Sequence, residues 1–121
     1  MKILVYGTDS FSDYNTFMRG LVVAIDENVD PNDKRIEVLT AGPHKINNFT
    51  AEFINKTEGY FKQQGIKTRF SRVKKSDIVG SFESLGINHV VSFNSKEDNR
   101  FFDVLLDKAE KNNVKSSYYK Y

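Results

Sequence analysis

Short apolar runs alternate along the chain with segments in which apolar residues recur every three or four positions. The runs predict β-strands, and their near-continuous apolarity is typical of strands buried on both faces of a parallel sheet. The predicted strands are Lys2–Gly7, Arg35–Ala41, Lys67–Val73, Ile87–Phe93 and Val114–Tyr119. The third run alternates more regularly than the others, which favours a position nearer an edge of the sheet.

The amphipathic segments between the runs predict four helices. Their expected inward-facing residues are Tyr14, Phe17, Met18, Leu21, Val22 and Ile25 in the first helix; Ile46, Phe49, Phe53, Tyr60 and Phe61 in the second, from about Ile46 to Gln64; Ile78, Val79, Phe82 and Leu85 in the third; and Phe102, Leu105, Leu106 and Ala109 in the fourth. The predicted N-caps are Ser10 or Ser12, Ser76, and Ser95 with Asp98 at capping-box spacing.

Alternating strands and helices predict the α/β class. We expect a single Rossmann-like three-layer domain over residues 1–121, with a mostly parallel sheet of about five strands flanked by helices. Periodicity leaves the strand order open.

The composition narrows the classes of function. Cysteine is absent, which excludes disulfides and thiolate chemistry, and the net charge of +2 argues against a nucleic-acid binder. No apolar run approaches the roughly 18 residues of a membrane span. We therefore expect a cytoplasmic protein without membrane contact.

Ligands of open α/β sheets bind beyond the carboxyl ends of the strands, where the strand order reverses. Three strand-to-helix turns carry small or polar residues at such ends: Gly7, Thr8, Asp9 and Ser10; Gly42, Pro43, His44 and Lys45, with Asn47; and Asn94, Ser95 and Lys96. Free backbone N–H groups at helix starts favour phosphates there. Every such turn also needs caps and a glycine for structural reasons alone, so a ligand-binding role and a capping role both remain open.

Residues 5–14, VYGTDSFSDY, resemble the opening of the SLOG superfamily, and more specifically the small YspA-like proteins common in bacteria and their phages. Residues 39–42 stand where that family has its second strand and Gly-Gly turn. The resemblance implies a pocket for a nucleotide or a nucleotide-derived ligand. The chain departs from the family after Gly42 and at Asp9, where an Arg is common, and residues 94–97 lack the signature of the related LOG phosphoribohydrolases.

Two histidines are candidates for chemistry. His44 is placed to act as a base or a phosphate contact, or else is a solvent-exposed turn residue, whereas His89 lies inside a predicted strand and is expected to be structural. With no carboxylate at ligand spacing, they predict no metal site. The lone Gly7 and the absence of a Walker A pattern predict no dinucleotide or other cofactor.

Catalysis stays open at this point. The carboxylates nearest the expected rim are Asp9, Asp13, Glu52 and Glu58, and nucleoside deoxyribosyltransferases show that a Glu nucleophile can act on such a scaffold. Capping by Asp13 and solvated positions for Glu52 and Glu58 are the default. Because no orienting partner is evident for His44, the sequence favours binding over catalysis.

Two further segments suggest contacts with other molecules. Arg69, Arg72, Lys74 and Lys75 form the most basic stretch, which is expected to be a solvated edge or else to contact phosphates or an acidic partner. The Tyr-rich residues 116–121 can cover a sheet edge or form a subunit contact, and a contact with another chain, as in a homo-oligomer, is favoured over a disordered tail. The leading hypothesis is a binder that sequesters or senses a nucleotide signal. The alternatives are cleavage or transfer at a glycosidic bond, and a protein-interaction module.

Overall fold

The computed structural model describes residues 1–96 and 100–121. Its elements are β1 (Lys2–Gly7), α1 (Tyr14–Glu27), β2 (Arg35–Thr40), α2 (His44–Gln63), β3 (Lys67–Arg72), α3 (Lys75–Leu85), β4 (His89–Asn94), α4 (Arg100–Lys111) and β5 (Lys115–Lys120). All strand pairs are parallel and form one sheet. The predicted α/β class and Rossmann-like three-layer architecture are confirmed.

The strand order is β3-β2-β1-β4-β5. The chain first adds β2 and β3 on one side of β1 and then adds β4 and β5 on its other side. The strand order therefore reverses between β1 and β4. The two central strands are the most deeply buried: every residue of β4 is buried, and Ile3, Leu4 and Val5 of β1 are fully inaccessible to solvent. The prediction that β3 lies at an edge is confirmed.

Helices cover the sheet in two pairs, and each pair defines a side of the molecule. On the α1/α2 side, Phe17 and Leu21 of α1 and Phe53 of α2 pack with Val5 and Phe93 of the sheet. On the α3/α4 side, Phe82 and Leu105 pack with Leu4, Leu39 and Val90. Since side chains alternate along a strand, β1, β2 and β4 each contribute to both cores. No helix within the described residues has the length and apolar character that crossing a bilayer requires.

Three residues expected to face inward are exposed instead. Val22, Tyr60 and Val79 have 43%, 62% and 46% of their surface accessible. Val22 and Val79 flank the buried stripes of their helices, beyond the arc that touches the sheet. Tyr60 lies in the final turns of α2, whose 20 residues span about 30 Å and outrun a six-residue strand of about 20 Å.

Two predicted caps are wrong. The N-cap of α1 is Asp13 rather than Ser10 or Ser12: its Oδ1 accepts the Thr16 N–H at 3.2 Å. Hydrogen bonds from the Thr16 side chain and backbone lower the pKa of Asp13. Helix α3 begins one residue before Ser76, with Lys74 at the N-cap.

One other helix start differs from the prediction. Helix α2 begins at His44 rather than near Ile46, because Pro43 already occupies the N-cap position. The predicted cap of the fourth helix stays a prediction, because Asp98, the partner of Ser95, lies outside the described residues.

Candidate functional site

The first and third predicted turns meet where β1 and β4 end. The Thr8 N–H donates to the Phe93 carbonyl at 3.0 Å, and the Ser95 N–H donates to Thr8 Oγ1 at 2.7 Å. Thr8 is buried, while Asp9 beside it is exposed. The two turns are therefore joined at the reversal point, as a site at the switch point requires.

The second turn reaches the same place through Gly7. A Cβ atom on Gly7 would lie 2.6 Å from Ile46 Cδ1, so the missing side chain lets α2 close on the end of β1. Gly42 has φ +98° and donates its N–H to Thr40 Oγ1 at 3.0 Å. Pro43 caps α2 and His44, its first residue, is exposed.

On the α1/α2 side this junction is filled with aromatic rings. Phe11 stacks on Phe93 with a centroid distance of 4.7 Å, and Phe93 stacks on Tyr119 at 5.3 Å. The hydroxyl of Tyr121 lies 2.8 Å from Thr8 Oγ1 and 2.6 Å from Ser10 Oγ. These contacts leave a cavity of about 220 Å³ beside Ser10 and Asp13, which is small for a nucleotide.

On the α3/α4 side the same edge holds a buried amide with an unused donor. Asn94 is fully buried at the end of β4, and its Oδ1 accepts the Ser92 hydroxyl at 2.7 Å. Its Nδ2 has no hydrogen-bond partner among residues 1–96 and 100–121. A buried donor left unpaired costs about 1–3 kcal/mol, so the position favours an acceptor supplied from outside the chain.

Rings and a cation lie on the same side of the sheet. Tyr6 of β1 is beside Ser92 in the parallel register, and its ring lies 4.9 Å from that of Phe101 at the start of α4. Lys75 Nζ, at the start of α3, lies 4.9 Å from the Phe101 centroid and 5.6 Å from the Tyr6 centroid. We call Tyr6, Lys75, Asn94 and Phe101 the switch-point cluster.

Two more buried polar atoms without a partner in the described part of the chain lie near this edge, on the α1/α2 side. They are the Asn47 Oδ1 in the first turn of α2 and the Tyr14 hydroxyl at the start of α1. Burial raises the pKa of Tyr14, and the Glu52 carboxylate adds to the rise, so the phenol stays neutral. Because its Oδ1 is buried, Asn47 is the residue of the second turn whose polar group faces inward.

The remaining candidates have structural or solvated surroundings. His89 is 1% exposed; its Nε2 is 2.7 Å from Ser117 Oγ and its Nδ1 is 3.0 Å from Asn28 Nδ2, which bears out its structural role. Glu52 pairs with Lys56 along α2, and Glu58 is exposed. Within the described ranges, no three His, Asp or Glu side chains are grouped as metal ligands.

Tyr6 and Phe101 were not among the residues that the sequence indicated, and Lys75 was indicated only within a basic stretch expected to be a solvated edge or else to contact phosphates or an acidic partner. Tyr6 belongs to a run that reads as core, Lys75 to a basic stretch, and Phe101 to a helix whose inner face was assigned to its neighbour Phe102. The alternation of β1 places Tyr6 on the face of Leu4, but only the strand order brings that face beside β4.

Comparisons with known proteins give little further. No protein-family model and no curated protein matches the chain. A solution NMR structure of a de novo designed protein of the P-loop 2X3 fold is similar at 16% identity and a TM-score of 0.37, over 99% of this chain and 81% of that one. A likeness at that level bears on neither ligand nor chemistry.

Proposed function

We propose that the protein binds a nucleotide or a nucleotide-derived ligand at the switch point, on the α3/α4 side of the sheet. The observation that carries the proposal is the fully buried, unpaired Asn94 amide at the end of β4. It lies where the strand order reverses, which is the place where open α/β sheets receive ligands.

Other groups on the same side of the sheet fit the parts of such a ligand. The half-buried ring of Phe101, which packs on the buried Tyr6, offers an apolar surface for a base, while the Lys75 ammonium group is available for a phosphate. The Asn94 Nδ2 donor suits a ribose hydroxyl or a base carbonyl. The resemblance of residues 5–14 to the SLOG opening supports a nucleotide over other anions.

The same groups favour binding over catalysis. The switch-point cluster supplies an amide, a cation and two rings, whereas hydrolysis of a glycosidic bond needs a pair of acid and base groups. His44 and Asp9 are both exposed, and no hydrogen bond within the described residues orients either side chain toward the cluster. A binder of this kind would sequester or sense a nucleotide signal.

The test begins with the protein as purified. Mass spectrometry of small molecules released by heat should identify a nucleotide, and adding it back at one hundred times its Kd should stabilise the protein by about 2.7 kcal/mol. The ligand should be recovered unchanged. Failure to release a nucleotide, together with no stabilisation by a nucleotide panel, would contradict the proposal. Conversion of the nucleotide to base and ribose phosphate would replace it with catalysis.

Matched variants assign the site. Lys75→Gln should weaken affinity by about 1.5–3 kcal/mol, the range for a hydrogen bond to a charged group, whereas Lys74→Gln should leave it unchanged. Ser92→Ala/Asn94→Leu removes both partners of the buried pair, so it should abolish binding while changing stability by less than about 1 kcal/mol. Equal effects of Lys74→Gln and Lys75→Gln would place the ligand elsewhere.

A further inference from the structure

A second surface, rich in basic side chains, lies at the edge of the sheet where the strands begin. Helices α3 and α4 pack over β1 and β4 and reach only Leu39 of β2, so the amino-terminal halves of β2 and β3 are uncovered on that side. A groove of about 650 Å³ opens there. Four basic side chains line it, from Lys2, Arg35, Lys67 and Arg69, and we call them the cationic face.

The strand register brings these like charges together. Arg35 on β2 is directly beside Lys67 on β3, and no ion pair joins either side chain to a carboxylate among the described residues. One row further along the sheet, Glu37 is shared between Arg69 Nε at 3.4 Å and Lys2 Nζ at 3.9 Å. Adjacent like charges on a sheet are destabilising, so Arg35 and Lys67 favour an anionic partner.

Among the residues that the structure describes, Asp33 is the only other carboxylate that lines the groove, and it is already engaged. The carboxylate of Asp33 contacts the amino group of Met1 and accepts the Arg35 backbone N–H at 3.1 Å. The cationic face thus keeps an excess of positive charge in a groove that is partly open to solvent, with 77% of the Arg69 side chain exposed.

We propose that the cationic face, together with the free edge of β3, is a docking surface for an acidic extended segment of a partner protein. Strand β3 ends the sheet, and its Lys67 N–H bonds toward β2, so the amides of Thr68 and Phe70 face outward. An added strand would pair with them.

The spacing of charge along β3 fits such a segment. Lys67 and Arg69 are two residues apart and point to the same side, about 6.6 Å from each other along the strand. Carboxylates at alternate positions of an added strand repeat at the same interval. The aromatic residue of β3, Phe70, pairs with Val38 and therefore points to the opposite side, which leaves bases of a nucleic acid no ring to stack on.

Fluorescence anisotropy tests the proposal with a labelled peptide in which Glu and Thr alternate. The peptide should bind, its Gln–Thr counterpart should not, and high salt should weaken the complex. Arg35→Gln/Lys67→Gln should lower affinity about tenfold, because it removes two exposed ion pairs with the peptide. The charge-matched control Lys115→Gln/Lys120→Gln, on the exposed strand β5 at the opposite edge of the sheet, should leave affinity unchanged.

Hydrogen exchange supplies a readout that needs no variant. On adding the peptide, the amides of Thr68, Phe70 and Arg72 should become protected. Equal binding of the Glu and Gln peptides, absence of binding at millimolar peptide, or binding without this protection would overturn the proposal. Tighter binding of a single-stranded DNA oligonucleotide that is lost in Arg35→Gln/Lys67→Gln would also overturn it and make the surface a nucleic-acid site.

Discussion

The two sides of the carboxyl edge differ in how completely they are packed. On the α1/α2 side, the rings of Phe11, Phe93 and Tyr119 stack in sequence, and the Tyr121 hydroxyl ties Thr8 to Ser10. On the α3/α4 side, the buried Asn94 amide keeps an unused donor, and Lys75 lies over the Phe101 ring on the same side of the sheet. The α1/α2 side thus holds stacked rings that stabilise the fold, although Asn47 Oδ1 and the Tyr14 hydroxyl stay unpaired there among the described residues. The α3/α4 side combines its unpaired Asn94 donor with a cation and two rings.

The largest expected effect tests this division of roles. Phe93→Ala should cost about 3–5 kcal/mol, the range for emptying a buried aromatic site, because Phe93 is fully buried and contacts Phe11, Phe17 and Tyr119. Phe101→Ala, across the sheet, should cost only about 1–2 kcal/mol because that ring is half-buried, yet it should weaken nucleotide binding. Urea unfolding measures both losses. Equal losses would mean that the two sides are packed alike.

A smaller effect should arise at Gly7, where the filled side leaves no space for one more methyl group. Gly7→Ala should destabilise the protein by about 1–3 kcal/mol, because the new Cβ would press on the Ile46 side chain. Ile46→Val removes the nearest atom, so the double variant should be more stable than the two single losses predict. Additive losses in this cycle would show that the contact is relaxed and that Gly7 is required for another reason.

The smallest effect concerns the two ends of β4. At the amino end both ring nitrogens of His89 have partners, in contrast to the Asn94 amide. Burial lowers the pKa of His89, against a smaller raising effect of Glu27. As the pH falls, His89 of the unfolded chain takes up a proton near pH 6.5, before His89 of the folded protein does. The stability that depends on the neutral imidazole is therefore full above about pH 6.5 and falls as the pH drops below that value.

The free energy of unfolding should change with pH, because of His89, by less than roughly 1.4 kcal/mol per pH unit, the value for the uptake of one whole proton. Chemical unfolding between about pH 7 and 5.5 should reveal it, and His89→Gln should flatten the profile over that range. His44→Gln, which alters an exposed imidazole, should retain the slope. A wild-type profile that is flat over the same range would show that His89 accepts its proton without cost.

Local patterns in the chain determined the elements and their order. The apolar runs gave the five strands to within a residue or two at each end, and helical spacing identified deeply buried residues such as Phe17, Phe53 and Leu105. The predicted inward faces of α1 and α3 were too wide, since they included Val22 and Val79, which are exposed. Periodicity marks a helical face but does not show how much of that face the sheet covers. The turns that converge at the end of β1 followed from the α/β class alone.

Strand order and register were decided only by the tertiary structure. Hydrophobic periodicity is the same for a strand in any place in a parallel sheet, so nothing local indicates that β4 lies beside β1 or that Arg35 lies beside Lys67. Those neighbours join Tyr6 and Asn94, which are far apart in sequence, into one cluster, and they set the like charges of the cationic face side by side. The sequence could indicate which residues end strands, whereas the contacts between strands decide which of those residues meet.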